Sequence, residues 1–176
     1  ILLTHAHLDH VEGVAPVREF APEVPIWLHP DDLPLYRALD RQAAMFGLSS
    51  EPQPEPTDAF VPGTPYVVGE VELDVRFTPG HAPGHVILID HDSGQALVGD
   101  VVFQGSIGRT DLPGGDFKTL MRSIRDEVLV LSDDTVLYPG HGPATTVGDE
   151  RRFNPFLRPD RKSTRLNSSH VRTSRM

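Results

Sequence analysis

The sequence contains no cysteine. That absence removes disulfides, thiol nucleophiles and cysteine-based zinc sites, so any bound metal must rely on imidazole and carboxylate donors. No apolar run approaches the about 20 residues of a membrane span, and no signal-peptide pattern is visible, so a cytoplasmic location is expected. No repeat recurs at a period of about 20 to 50 residues, which excludes solenoid and propeller arrays. A serine nucleophile is also lacking. Gly105-Ser106-Ile107-Gly108 does not have the spacing of a nucleophile elbow, and Ser93-Gly94 reads as a hairpin turn.

What remains is a chain of 176 residues, a length that fits one domain with a sizeable core. Its 15 glycines and 17 prolines make it loop-rich without low-complexity repeats. Charge is unevenly placed. Residues 1–159 carry 11 Lys/Arg against 24 Asp/Glu, whereas 160–176 carry five Lys/Arg and one Asp. The acidic body argues against a nucleic-acid surface as the main partner but does not by itself identify a substrate. Asp160 to His170 reads DRKSTRLNSSH, which resembles a translated sequencing adapter, so the working division is a domain over 1–159 and an artefactual or disordered tail over 160–176. The first residue, Ile1, already lies inside a β-like run, and further strands are expected upstream of it.

Ile1–Leu3 reads as the end of a buried strand, followed by a polar loop from Thr4 to Gly13. Pro16 suits the first turn of a helix reaching Phe20. Ile26–Leu28 is a short strand, and Asp31 or Asp32 is placed to cap one helix running through Leu35, Leu39 and Met45 to Gly47. Five prolines make 51–65 a surface loop. Val71, Leu73, Val75 and Phe77 alternate with polar residues as a half-buried strand does. Residues 86–90 and 95–99 flank a turn and read as a hairpin. Residues 100–116 form a long glycine-rich loop. Asp116 then caps a helix whose face Phe117, Leu120, Met121, Ile124 and Val128 is assigned to the core, and 136–138 is the last strand.

The chemistry concentrates in Thr4-His5-Ala6-His7-Leu8-Asp9-His10. Residues two apart do not share a helix face, but in a tight loop His5 and His7 can reach one ion while Asp9 and His10 turn toward a second. Zinc is the expected ion, and iron or manganese suit the same donors. Three imidazoles and a carboxylate in six residues would be costly to bury without a metal. Three further candidates, His81, Asp100 and His141, each follow a predicted strand in a loop, where rigid strands can aim them at one point.

This cluster resembles the signature of the metallo-β-lactamase superfamily, and the rest of that pattern follows in order. It comprises Thr78-Pro79-Gly80-His81, Gly99-Asp100 and Tyr138-Pro139-Gly140-His141-Gly142. The resemblance implies an α+β fold, a four-layer αββα sandwich with two divalent metals at one edge. It further implies that His5, His7 and His81 hold the first metal, that Asp9, His10 and His141 hold the second, and that Asp100 bridges both. Asp9 and Asp100 would then act with a bridging hydroxide that attacks a substrate carbonyl. The stretch from Gly99 to Asp116 and the closing Asn154-Pro155-Phe156-Leu157-Arg158 are similar to short bacterial glyoxalase II-type hydrolases, which cleave S-acyl-glutathione thioesters. A rival resemblance, to persulfide dioxygenases, implies a single iron held by His7 or His5 with His81 and Asp100. A non-catalytic binding domain would have a broken ligand set, and none of the seven positions is broken.

Other residues divide between functional and structural readings. His85 matches a position that is often small in relatives, and it is expected to orient a ligand. Arg109 is a candidate for binding a substrate carboxylate or for pairing with Asp111 or Asp116. His29 is expected to be structural and His91 solvated, with Tyr138 in the core or at the pocket edge.

Overall fold

Residues 1–158 are described in the computed structural model; the basic segment 160–176 lies outside them. Two short segments, β1 (Trp27–Leu28) and β2 (Asp58–Ala59), pair in parallel, and Leu2 makes a parallel bridge to Trp27. β2 lies inside the proline-rich stretch that the sequence marks as loop. Its pairing needs only two residues, too few to leave a periodic signal.

The alternating segment forms β4 (Val71–Phe77), between β3 (Tyr66–Val68) and β5 (Val86–Asp90). β5 and β6 (Gln95–Gly99) make the expected hairpin. β6 also pairs in parallel with β9 (Val136–Pro139), which is flanked by β10 (Thr145–Thr146). These six strands form one sheet in the order β10-β9-β6-β5-β4-β3. The segment after Asp100 is not all loop, because β7 (Val102–Phe103) and β8 (Ser106–Ile107) close a small hairpin.

β5 is buried on both faces, and alternate side chains serve different layers. Ile87 and Ile89 pack with Leu120, Ile124, Val128 and Val147, from the helical side. Val86 and Leu88 pack with Phe60 and, across the sandwich, with Leu2 and Trp27 of the smaller sheet. Ile26 and Leu28 bury their other neighbours among α1 (Leu8–Val11), α2 (Val14–Phe20), α3 (Leu33–Tyr36) and α4 (Leu39–Met45). The layers therefore run helix, sheet, sheet, helix, the αββα sandwich expected from the motifs.

Opposite them, α5 (Phe117–Ser123) starts at Asp116, whose carboxylate accepts from the Thr119 N–H at 2.7 Å as an N-cap, and it continues into a π-helical turn over Ile124–Val128. Phe117 is half exposed and not part of the core stripe. α6 (Val147–Phe153) follows β10; neither element is anticipated by the sequence reading, which ends its strands at Tyr138.

The single helix expected between Asp31 and Gly47 is instead a 3-10 turn, α3 and α4. At the break the Leu35 carbonyl accepts the Ala38 N–H at 3.0 Å, closing a tight turn, and also Gln42 Nε2 at 2.9 Å.

Candidate metal centre

Strand direction brings the separated motifs together. β4 and β6 are both antiparallel to β5, and β9 is parallel to β6, so all three strands end at the same sheet edge. His81 follows the end of β4, Asp100 follows β6 directly, and His141 follows β9. His5 and His7 leave the bridged segment at Leu2. Asp9 and His10 are not in a loop as expected but in the four-residue helix α1, and the His10 ring lies against that of His5, with ring centres 4.0 Å apart.

All seven candidate ligands converge. Donor atoms of His5, His7 and His81 lie within 4.8 Å of one another, as do those of Asp9, His10 and His141 and those of His5, His10 and Asp100. Asp100 stands between the groups. Its Oδ1 is 3.3 Å from His10 Nε2, and its Oδ2 is 3.5 Å from His81 Nε2 and 3.6 Å from His141 Nε2. Asp9 Oδ2 is 2.8 Å from His141 Nε2. The first trio is buried, whereas Asp9 and His141 are exposed.

Outer partners fix which nitrogen of each ring faces inward. The Arg109 carbonyl, 2.8 Å from His81 Nδ1, can only accept, so that nitrogen carries the proton and Nε2 is a bare lone pair. Thr4 Oγ1 lies 3.1 Å from His5 Nδ1, leaving His5 Nε2 inward. His85 is engaged at both nitrogens. Its Nε2 accepts the Asp100 N–H at 3.1 Å, and its Nδ1–H donates to Thr78 Oγ1 at 3.0 Å. No lone pair of His85 is left for a metal. It orients the backbone of Asp100 and stacks on His5, with ring centres 4.8 Å apart.

The close packing constrains backbone as well. Gly99 has φ +46, and a Cβ there would meet His85 Nε2 at 2.6 Å and Thr4 Oγ1 at 2.7 Å. A side chain at Gly140 would collide with Asp100 Oδ1 and with the His10 ring.

Electrostatics match a cation site. Burial, reinforced by neighbouring imidazoles, pushes His5 and His85 well below the ordinary histidine value and His7 down to about 4; burial also lowers His81. These rings are neutral donors at neutral pH. Burial works against a charged His10, yet the carboxylates of Asp100 and Asp9 outweigh it and raise its pKa. Burial likewise opposes ionisation of Asp100, and His10, His81 and His141 overcome it and lower its pKa. Among the described residues, His5 Nε2, His7 Nε2, His10 Nε2 and Asp100 Oδ1 are buried with no hydrogen-bond partner. His7 Nδ1 and His81 Nε2 face each other at 2.8 Å, so a proton or a cation must lie between them. Orphaned lone pairs of this kind are costly unless a cation meets them, so the residues present fit metal ions.

The centre opens into a pocket of about 580 Å³ whose walls include Leu8, Phe46, Phe103, Ile107 and Leu112. Arg109 lines it, but the guanidinium is held by Asp111 through Nε at 2.7 Å and a second terminal nitrogen at 2.7 Å, one of the two pairings considered for it. Asp116 is occupied as a helix cap. The β7–β8 hairpin that supplies Phe103 and Ile107 is tied to α6. Asn154 Nδ2 donates to the Ser106 carbonyl at 2.8 Å, and Glu150 Oε2 accepts the Gly105 N–H at 3.0 Å. The Asn-Pro-Phe-Leu-Arg stretch thus has a structural task.

Of the remaining histidines, His29 stacks on Phe77, and His91 is exposed but lies 3.0 Å from Asp74 Oδ2. Tyr138 is 40% exposed at the sheet surface and does not line the pocket. Sequence reasoning missed Asp32. It is fully buried, and its carboxylate accepts from Ala6 N–H and Gly84 N–H instead of capping a helix; burial raises its pKa to about 6 against the pull of those two donors.

The family model of the metallo-β-lactamase superfamily matches residues 1–141. The chain belongs to that superfamily, a class of metal-binding proteins. It is 42% identical to the hydroxyacylglutathione hydrolase GloC of Haemophilus influenzae, covering 89% of this chain and 74% of that protein. Among solved structures, TTHA1623 in a di-iron-bound form is 47% identical with TM-score 0.83, covering 89% of this chain and 76% of that one. The BLEG-1 B3 metallo-β-lactamase is 38% identical with the same TM-score and the same coverage. Family and relatives together support a hydrolase.

Proposed function

We propose that the chain is a two-metal hydrolase acting on a thioester of the S-acyl-glutathione type. His5, His7 and His81 would hold one ion and Asp9, His10 and His141 the other, with Asp100 available to both. The observation that carries this reading is the position of Asp100, between 3.3 and 3.6 Å from imidazoles of both groups. Neutral imidazole with carboxylate suits zinc, iron or manganese, and the di-iron form of TTHA1623 supports iron as a candidate beside zinc.

Divalent ions bound there supply Lewis acidity and lower the pKa of coordinated water toward about 7. The chain's own part is to fix the donors and to receive the substrate. His85 holds Asp100 through its backbone, the Arg109 carbonyl holds His81, and Thr4 holds His5. The apolar walls of the pocket, among them Leu8, Phe46, Phe103 and Leu112, offer contact for a non-polar part of the substrate. A thiolate leaving group, with a free thiol pKa near about 8.5, needs no protein acid to assist it. The name of the Haemophilus relative supports the glutathione thioester.

The test is to load the protein with zinc or with iron and assay S-lactoylglutathione hydrolysis beside oxygen uptake with glutathione persulfide. Hydrolysis without oxygen uptake is expected. Oxygen uptake without hydrolysis would transfer the site to the dioxygenase reading.

A further inference from the structure

The directions of the His5 and His7 rings depend on the backbone of the one residue between them, Ala6, which is fully buried. Both polar groups of Ala6 are held by side chains from another layer of the fold. Its N–H donates to Asp32 Oδ2 at 2.8 Å, and its carbonyl accepts from Gln42 Nε2 at 3.0 Å. Gln42 Oε1 also takes the Leu8 N–H at 3.1 Å. The other oxygen of Asp32 accepts the N–H of Gly84, three residues beyond His81. A Cβ at Gly84 would meet Asp32 N at 2.6 Å and Oδ1 at 2.9 Å, so the approach requires glycine. Asp32 is fully buried and, among the described residues, has no cation beside it. A carboxylate buried on two amide donors alone carries a desolvation cost that packing does not explain.

We propose that Asp32 is a positioning residue for the metal centre, a single carboxylate that locks the loop of His5 and His7 to the loop of His81, with Gln42 holding the opposite side of Ala6. The inference rests on the ligand assignment proposed above. Fixing the peptide between two ligands sets their bite, and loss of such outer contacts typically weakens metal binding about 10–100-fold.

The test uses Co²⁺ with the wild type, Asp32→Asn and Gln42→Ala, read by competition against a chromophoric chelator and by the visible cobalt spectrum. Asp32→Asn keeps the shape but turns an NH₂ group toward one of the two N–H donors. It is expected to bind the tighter Co²⁺ about 10–100-fold more weakly with an altered spectrum, while the metal-free circular dichroism is unchanged. Gln42→Ala is expected to lose less. Hydrogen exchange on the metal-free wild type, which does not depend on any variant folding, is expected to show protected Ala6 and Gly84 amides. Wild-type Co²⁺ affinity and spectrum in Asp32→Asn, or unprotected amides at both positions in the wild type, would overturn the clamp alone. A wild type that binds no Co²⁺ would overturn the ligand assignment, and the clamp with it.

Discussion

The two halves of the centre are built differently. The rings of His5 and His81 are buried and each is fixed by an oxygen partner at its outer nitrogen, and His7 is buried beside them. Asp9 and His141 are exposed, and among the described residues their side chains are held by each other and by the histidines and Asp100 around them. The first half is preorganised by the fold before any ion arrives. The second half contains one well-placed ring, His10, and two groups that must be ordered when an ion binds, which costs side-chain entropy. On the ligand assignment proposed above, the difference predicts unequal sites, a tighter inner one and a weaker outer one.

The sharpest way to break that contrast is to substitute one member of each half. His7→Ala is expected to empty the inner site and lower kcat/KM for thioester hydrolysis by at least about 1000-fold, because the ion contributes several kcal/mol to the transition state. His141→Ala is expected to leave about one ion per chain and a smaller loss, about 10–100-fold, with metal-free stability within about 0.5 kcal/mol of wild type, as for other exposed substitutions. Equal losses from the two variants, measured by steady-state kinetics with metal analysis, would show that the halves do not differ as described.

His85 sharpens the comparison from outside the ligand set. His85→Ala removes a fully buried ring and orphans the Asp100 N–H and the Thr78 hydroxyl, so a loss of about 2–4 kcal/mol in denaturant unfolding is expected. Activity is expected to fall about tenfold or more as Asp100 shifts.

Acidification is the mildest probe. A buried histidine with a lowered folded pKa stays neutral while its unfolded counterpart takes up a proton, so its contribution is present above the unfolded value near 6.5 and is lost as pH falls. For His7 that window runs from 6.5 down to about 4, and His5, His81 and His85 act in the same direction. Asp32 acts oppositely. Its folded pKa of about 6 lies above the unfolded 3.8, so its contribution grows as pH falls through that range, and His10, raised above 6.5, also favours the acid side. With His29, also lowered by burial, five rings act against two groups, and metal-free protein is predicted to lose stability from pH 7 to pH 4. Chemical denaturation at several pH values checks it, and a flat or rising profile would contradict the burial assigned to these rings.

The seven residues that the structure gathers were legible in the sequence as candidates: contiguous His-x-His-x-Asp-His, then single residues behind strands with clear alternation or hairpin turns. Apart from His85, expected to orient a ligand and found on the Asp100 backbone, the supports were not. Asp32 sits where an aspartate ordinarily caps a helix, and nothing local distinguishes a carboxylate turned across the fold to Ala6 and Gly84. Gln42, which reaches across to both sides of the Ala6–Leu8 backbone, occupies a position any good helix former would fill. The two-residue strands β2, β7 and β8 are too short for periodicity, and Phe103 and Ile107 reach the pocket through a hairpin that Glu150 and Asn154 hold from about fifty residues away. Local pattern picks out the residues that converge, whereas long-range hydrogen bonds decide how they are aimed.

A stepwise metal titration of the metal-free wild type, with ions per chain read by elemental analysis and heat by calorimetry, addresses the two halves directly. Two ions per chain in two resolved steps, the tighter one lost in His7→Ala and the weaker one lost in His141→Ala, is the predicted result. Saturation at one ion per chain or fewer would contradict a two-metal centre.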